Sequence, residues 1–337
     1  MKVLEIRERF GLDQLLEGQR PDPEPGPGQV LLRMHAASLN YRDLLTVQGQ
    51  YNPKQPLPLI PCSDGVGEVT AVGADVRRVG AGDLVIPIFA QRWIAGEPTA
   101  DGLRSTLGGP HDGTLAEQMV VDAESVVRAP EHLTHEEAAT LPCAALTAWS
   151  ALVSLGNVKS GDIVLVQGTG GVSIFALQFA LLLGARVIVT SSNDVKLARA
   201  RTLGAWETVN YRTRPDWGRE IKKLCGGVGV DLIVEVGGGL TLPQSLAAIR
   251  PGGTIALIGV LSGRTADLNL APILMQQVRV QGVFVGNRER FEAMNRAIEQ
   301  HQLRPAVSRV FPWPEARPAF EHLASGEHFG KICIRIG

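Results

Sequence analysis

The sequence predicts an α/β protein in which a doubly wound parallel sheet stands beside a separate β-rich domain. Three observations carry that expectation. The chain has 337 residues, more than the roughly 250–300 at which a single hydrophobic core stops growing, so two domains are expected. Its texture changes near residue 143: before it, proline and glycine are dense and strand-like runs are short, and after it apolar runs alternate with helical stretches. The segment 165–192, "LVQGTGGVSIFALQFALLLGARVIVTSS", strings an apolar run, a glycine-rich turn, a long apolar helix and a second apolar run into one β-α-β unit.

Residues 1–143 contain "PDPEPGPGQ", "PKQPLPLIPCSDGVGEV" and "VGAGD", which punctuate short runs such as "QVLLRMHAAS", "GEVTAVG" and "DLVIPIF". Dense turn residues between short strands mark a barrel or sandwich. From 144 to 287 the strand candidates are 163–167, 187–191, 208–211, 232–236, 254–259 and 278–285, with helices between them, among them 194–203 and 217–225. These strands are continuously apolar, as burial on both faces of a parallel sheet requires. The tail, 288–337, mixes two amphipathic helices with a closing strand. It is too short for a core of its own and is expected to complete the first domain.

Composition narrows the function. With 45% hydrophobic and 20% charged residues the chain has a globular composition, and its net charge of −1 gives no electrostatic case for nucleic acid or anionic lipid as a partner. Cys62, Cys143, Cys225 and Cys333 are scattered without a C-x-x-C pair, which suits a reducing compartment. The opening "MKVLEIRERF" lacks a signal-peptide core, and the longest apolar run, around 174–183, is interrupted by Gln178 and too short to span a bilayer. A soluble cytoplasmic protein without a membrane partner is expected.

The glycine-rich turn points to a nucleotide. Gly168 permits a tight turn and Gly170 a close backbone approach to a pyrophosphate. The helix from about Gly171 offers its free N–H groups, so Gly168, Thr169, Gly170, Gly171 and Val172 are expected to line that site. Ser173 stands where a third glycine would serve helix–strand packing, which costs closeness of packing rather than binding. A tight turn without a ligand is the alternative reading of the glycines alone. An NAD-preferring site carries an acid about 20 residues on, where this chain has Thr190, Ser191 and Ser192. Hydroxyls with Lys196, Tyr211 and Arg212 nearby suit a 2′-phosphate, so NADP(H) is preferred and NAD(H) remains possible. Asp194 reads as a helix cap. Further cofactor contacts are expected from strand ends, at Thr147, Gly237, Val260, Phe284 and Val285.

The chain resembles the medium-chain dehydrogenase/reductase superfamily, and within it the zinc-independent, quinone oxidoreductase-like branch. The resemblance covers nearly the whole length and rests on "PGPGQVLLRMHAASLNYRDLL", "GQYNPKQPLPLIPCSDGVGEVTAVGADV", "GDLVIPI", "GTLAEQMVV", "EEAATLPCAALTAWSAL", "GDIVLVQGTGGVS", "LGAWETVNYR", "DLIVEVGG", "IRPGGTIALIGV" and "GKICIRI". It implies a GroES-like catalytic domain at 1–143, completed by 288–337, a Rossmann domain at 144–287, and an active-site cleft between them. Zinc-dependent relatives place ligands at positions matching Asn40 in "NYRD", Ser63-Asp64 in "CSDG" and Cys143 in "LPCAALTAW". Only the cysteine survives, and a catalytic zinc needs three good protein ligands. The resemblance therefore implies no catalytic zinc, with Cys143 a small buried hydrophobe. The segment 91–113 holds no cysteine for a structural zinc either. Elsewhere, "HLTHEEA" is a capping box of Thr134 and Glu137 rather than a metal motif, and no P-loop or G-x-S-x-G elbow is present.

Without zinc, an acceptor oxygen must be polarised by hydrogen bonds and receive a proton from a side chain or water. The candidates are Asn40, Tyr41, Tyr51 and Asp43, with Arg42, Ser63 and Asp64 around them. Tyr41 and Tyr51 are the expected donors, their alternative being packing against a barrel loop, and Asp43 can instead hold that loop. The expected activity is reduction of a quinone, an enone or a related small carbonyl by NADPH. The alternatives are a zinc-type alcohol dehydrogenase with atypical ligands and a non-catalytic NADPH-binding protein. The resemblance also implies a homodimer, paired at the edge strand 278–285.

Overall fold

In the computed structural model, which describes residues 1–265 and 267–337, the chain divides into two units. One comprises Met1–Leu146 with Val285–Gly337, the other Thr147–Phe284. In the first, β1 (Lys2–Ile6) and β2 (Leu15–Gln19) form an antiparallel pair. They are followed by β3 (Gln29–Leu39), β4 (Asp64–Val72), β5 (Leu84–Pro87), β6 (Gln118–Asp122) and β7 (Val126–Arg128).

The second unit holds β8 (Ile163–Gln167), β9 (Arg186–Ser191), β10 (Glu207–Asn210), β11 (Val230–Glu235), β12 (Ile249–Leu257) and β13 (Arg279–Gly282). All pairings are parallel and the strand order is β10-β9-β8-β11-β12-β13. Numbered within the unit that order is 3-2-1-4-5-6, the Rossmann arrangement, as the sequence predicts. Every residue of β8 is buried, which explains its uninterrupted apolar run.

Most strand ends fall within one or two residues of the sequence expectation, and the larger departures are at β12 and β13. β12 starts at Ile249, before the turn residues, because Val230 still pairs with Ile249; the ladder then jumps to Leu232 opposite Thr254. Pro251, which has no N–H to donate, falls inside that irregularity. β13 stops at Gly282 rather than at 285, and Val285 itself has φ +43°, outside the extended region. The helices Asp194–Thr202 and Trp217–Leu224 each end one residue early, with Gly204 and Gly226 at positive φ soon after.

The chain returns to the first unit through β14 (Val307–Pro312) and β15 (Lys331–Arg335). There the sheet order is β14-β15-β3-β4-β5-β7, with β6 also on β3. Along the first half of β3, Val30, Leu32 and Met34 point inward while Arg33 is exposed, and from Ala36 to Leu39 every residue is buried. The helix Ala316–Ser325 adds Ala316, Ala319, Phe320 and Leu323, a stripe at helical spacing, to the core that contains Leu32, Val69, Val85 and Ile334. β15 lies antiparallel to β3 with Ile332 opposite Leu39. That register brings Lys331 alongside the end of β3, where Asn40 begins.

Candidate active site

In the second unit the expected nucleotide residues other than Thr147 lie at or just past the carboxyl ends of the strands, where open α/β sheets bind ligands. Gly168 follows β8 with φ +73° and donates its N–H to Thr190 O at 2.8 Å. Gly170 is the N-cap of the helix Gly171–Leu182, which has no side-chain cap, so its first-turn N–H groups are not taken up by a capping side chain. Thr169 is buried and Val172 lies in that first turn. Ser173 Oγ donates to Gln167 O at 2.7 Å and is buried. The expected loss of packing is thus offset by a hydrogen bond that closes the turn.

Ser191 ends β9, its Oγ accepting the N–H of Asn193 at 3.2 Å. The helix cap is Asn193, whose Oδ1 accepts from Lys196 N at 3.1 Å, and not Asp194. Asp194 instead accepts from Asn210 Nδ2 at 2.8 Å. Asparagine and aspartate cap helices equally well, so the sequence alone misassigned the position by one. Ser192 and Lys196 are half-buried, and Tyr211, just past β10, is exposed. Gly237, Val260 and Phe284 follow β11, β12 and β13. Thr147 does not sit at a strand end: it is buried in the helical segment Leu146–Trp149. Val285 belongs to the first unit.

Glu235, which the sequence analysis did not single out, organises this edge. It is fully buried at the end of β11. One carboxylate oxygen accepts from Gly237 N (2.9 Å), Gly238 N (3.0 Å) and Thr241 Oγ1 (2.6 Å). The other accepts from Gln167 Nε2 (2.6 Å) and Ser245 Oγ (2.5 Å). Five donors satisfy the charge and tie the loop after β11 to the end of β8. The signal was present as the one acid in the apolar run "LIVEV".

In the first unit the residues at the family's metal positions form a polar cluster around a lysine. Asn40 caps the helix Tyr41–Val47, and its N–H donates to Asp43 Oδ2 at 2.8 Å. Lys331 Nζ donates to Leu39 O at 2.7 Å and Asn40 Oδ1 at 2.6 Å, and lies 3.7 Å from Asp64 Oδ2. Ser63 Oγ donates to Asp64 Oδ1 at 2.7 Å, Cys143 N to Asp64 Oδ2 at 3.2 Å, and Asn40 Nδ2 approaches Ser63 Oγ at 3.5 Å. Asp43, Ser63 and Asp64 are wholly buried, and Lys331 is 3% exposed.

Burial pushes the Asp43 carboxyl up to about 6, with Arg42 opposing it and Asp64 adding to it. Burial also raises Asp64, opposed by Lys331, and holds the Cys143 thiol well above its usual range, with the Asp64 charge adding to the effect. Arg42 donates to Leu107 O and Gly109 O, at 2.8 and 3.0 Å, and its guanidinium lies 5.0 Å from the Tyr51 ring. Tyr41 and Tyr51 are about half exposed, and neither hydroxyl has a partner among the described residues.

This donor set does not fit a zinc ion. Asn40 Oδ1 is taken by an ammonium and Ser63 is a hydroxyl that donates to Asp64, which leaves Cys143 as the one thiol of the set. Lys331 also puts a fixed positive charge against the one carboxylate. Among the described residues no other cluster of three His, Cys, Asp or Glu side chains could hold a metal.

Comparison with known proteins accords with both units. The alcohol dehydrogenase GroES-like domain family matches residues 26–131 and the zinc-binding dehydrogenase family residues 171–300. A zinc-type alcohol dehydrogenase-like protein of Schizosaccharomyces pombe is 43% identical over 98% of this chain and 97% of its own length. The crystal structure of a putative alcohol dehydrogenase from Sinorhizobium meliloti superposes with TM-score 0.93 at 41% identity, covering 99% and 98% of the two chains. A quinone oxidoreductase structure from Coxiella burnetii superposes with TM-score 0.81 at 30% identity, covering 100% and 99%. On this fold, this glycine-rich turn and these relatives, the chain belongs to the medium-chain dehydrogenase/reductase superfamily of nicotinamide-dependent oxidoreductases.

Proposed function

We propose that this protein is an NADPH-dependent reductase of a quinone, an α,β-unsaturated carbonyl or a related small electrophile, working without catalytic zinc in the cytoplasm. The observation that supports this reading best is the ammonium of Lys331 among the residues at the metal positions, hydrogen-bonded to Asn40 and 3.7 Å from Asp64. NADPH supplies the hydride when bound. The uncapped helix at Gly171 and the turn Gly168–Gly170 receive the pyrophosphate, and Ser191, Ser192, Lys196, Tyr211 and Arg212 take the 2′-phosphate. Asn40 polarises the acceptor oxygen, and Tyr41, Tyr51 or water delivers the proton. The competing reading, a zinc-type alcohol dehydrogenase, draws on the name of the Schizosaccharomyces relative and on Cys143.

The test is NADPH oxidation by chelator-treated protein across a panel of quinones and enones, with NADH in parallel. Turnover that survives chelation and prefers NADPH is expected. Activity lost on chelation and restored by zinc would transfer the case to the alcohol dehydrogenase reading. We propose further that two copies pair through the free edge of β13, all of whose residues are exposed.

A further inference from the structure

A lysine is almost never fully buried unless its charge is paired, and Lys331 is 3% exposed. Its ammonium donates to Leu39 O at 2.7 Å and to Asn40 Oδ1 at 2.6 Å, and forms an ion pair with Asp64 Oδ2 at 3.7 Å. The position is set by backbone pairing, since β15 and β3 lie in register with Ile332 opposite Leu39. An ammonium has donors and no acceptor, so only the oxygen of the Asn40 carboxamide can face it; the flipped amide would set donor against donor. The nitrogen of that carboxamide is therefore turned the other way. One of its protons is directed at the Ser63–Asp64 pair, with Ser63 Oγ at 3.5 Å. An amide carries two, and Asn40 is only half-buried.

We propose that Lys331 is a positioning residue that locks the Asn40 carboxamide with Oδ1 inward, so that an Nδ2 proton is offered to the acceptor's oxygen. The proposal rests on the reductase reading. As hydride adds to the carbonyl carbon, or to the β-carbon of an enone or quinone, charge gathers on oxygen and the Asn40 N–H stabilises it. A proton from Tyr41, Tyr51 or water completes the reduced product, and NADP⁺ is left. A cation on Oδ1 polarises the amide and strengthens that donor, as linked hydrogen bonds do in a low dielectric. The buried charge that orients this donor is thus a lysine of the chain itself.

The experiment is a double-mutant cycle of Asn40→Ala and Lys331→Met, made in an Asp64→Asn background so that removing the ammonium does not leave the Asp64 carboxylate without its ion pair. Loss of an oxyanion donor lowers kcat about 10²–10³-fold, and misplacing one about 10²-fold. The double variant is expected to be no slower than Asn40→Ala alone, with KM for NADPH unchanged in all. Losses that multiply would show that Lys331 acts independently of Asn40 and overturn the proposal. A second arm needs no variant and no substrate. In wild-type protein labelled at lysine Nζ and asparagine Cγ, a ¹⁵N–¹³C contact between Lys331 and Asn40 is expected by NMR, and its absence overturns the lock. If the contact is present but no acceptor is turned over, the reductase reading fails, and the role of Nδ2 with it, while the lock itself stands.

Discussion

Asp43 shows how one residue can be both a structural tie and a liability. Its Oδ2 accepts the Asn40 N–H, while Oδ1 has no hydrogen-bond partner, with Arg42 Nη1 3.6 Å away. Burial raises its pKa from the usual 3.8 to about 6, so between those values the folded chain binds a proton that the unfolded chain has released. Its contribution to stability is therefore fully present below about pH 4 and is lost as pH rises through about 6; at roughly 1.4 kcal/mol per pH unit, it falls by about 3 kcal/mol across that window. Urea denaturation of wild type and Asp43→Asn at pH 5 and pH 7 checks this: the variant should gain on the wild type as pH rises. Gly168 is a second residue-scale case. At φ +73° with only Ser173 Oγ near its missing Cβ, at 3.8 Å, Gly168→Ala meets strain and not a clash. It should cost about 1–2 kcal/mol and weaken NADPH binding in a fluorescence titration. Such effects lay beyond the sequence. The residue types at 40, 43, 63 and 64 were legible, but the lysine that joins them is 291 positions from Asn40 and only the β3–β15 register brings it there. The two tyrosines drew attention by chemistry, yet neither hydroxyl has a partner among the described residues.

At the scale of elements, the β-α-β unit around the phosphate turn was legible because its signals are local. Glycine fixes the turn, apolar runs fix the strands, and the helix follows within a few residues. Boundaries failed where a tertiary partner decides them. Val230 draws β12 back to Ile249. The departure at Ser173 makes the sharper case. Judged as a fingerprint the serine is a defect, whereas in the fold its hydroxyl bonds Gln167 O at 2.7 Å and fixes the helix on the strand that precedes it. Restoring the family glycine should therefore harm the protein. Ser173→Gly removes one buried hydrogen bond, about 1 kcal/mol, and places glycine in a helix, a further 0.5 kcal/mol or so relative to other residues. A loss of roughly 1–2 kcal/mol in denaturant titration is expected, with no gain in NADPH affinity.

At the scale of the whole molecule, one surface is left unfinished by the chain itself. β13 pairs with β12 on one side, and its other edge has no strand partner among the described residues. Beside it the helix Ala271–Met275 buries none of its residues, with Leu274 77% and Met275 78% exposed, and Val280 on β13 is exposed as well. A strand edge with unpaired backbone groups invites another strand, and the exposed Leu274, Met275 and Val280 add apolar surface around that edge. A second copy is the partner that brings its own identical edge, joined about a two-fold axis in an isologous contact. Sedimentation should accordingly give a dimer of a 36.1 kDa chain. Val280→Asp places a charge on the shared edge, and like charges facing one another across a two-fold axis repel. That variant should sediment as a monomer while keeping its far-UV circular dichroism, because the residue is not part of the core. A wild type that sediments as a monomer would mean that the edge stays open in solution, and the exposed leucine and methionine would then require a different partner.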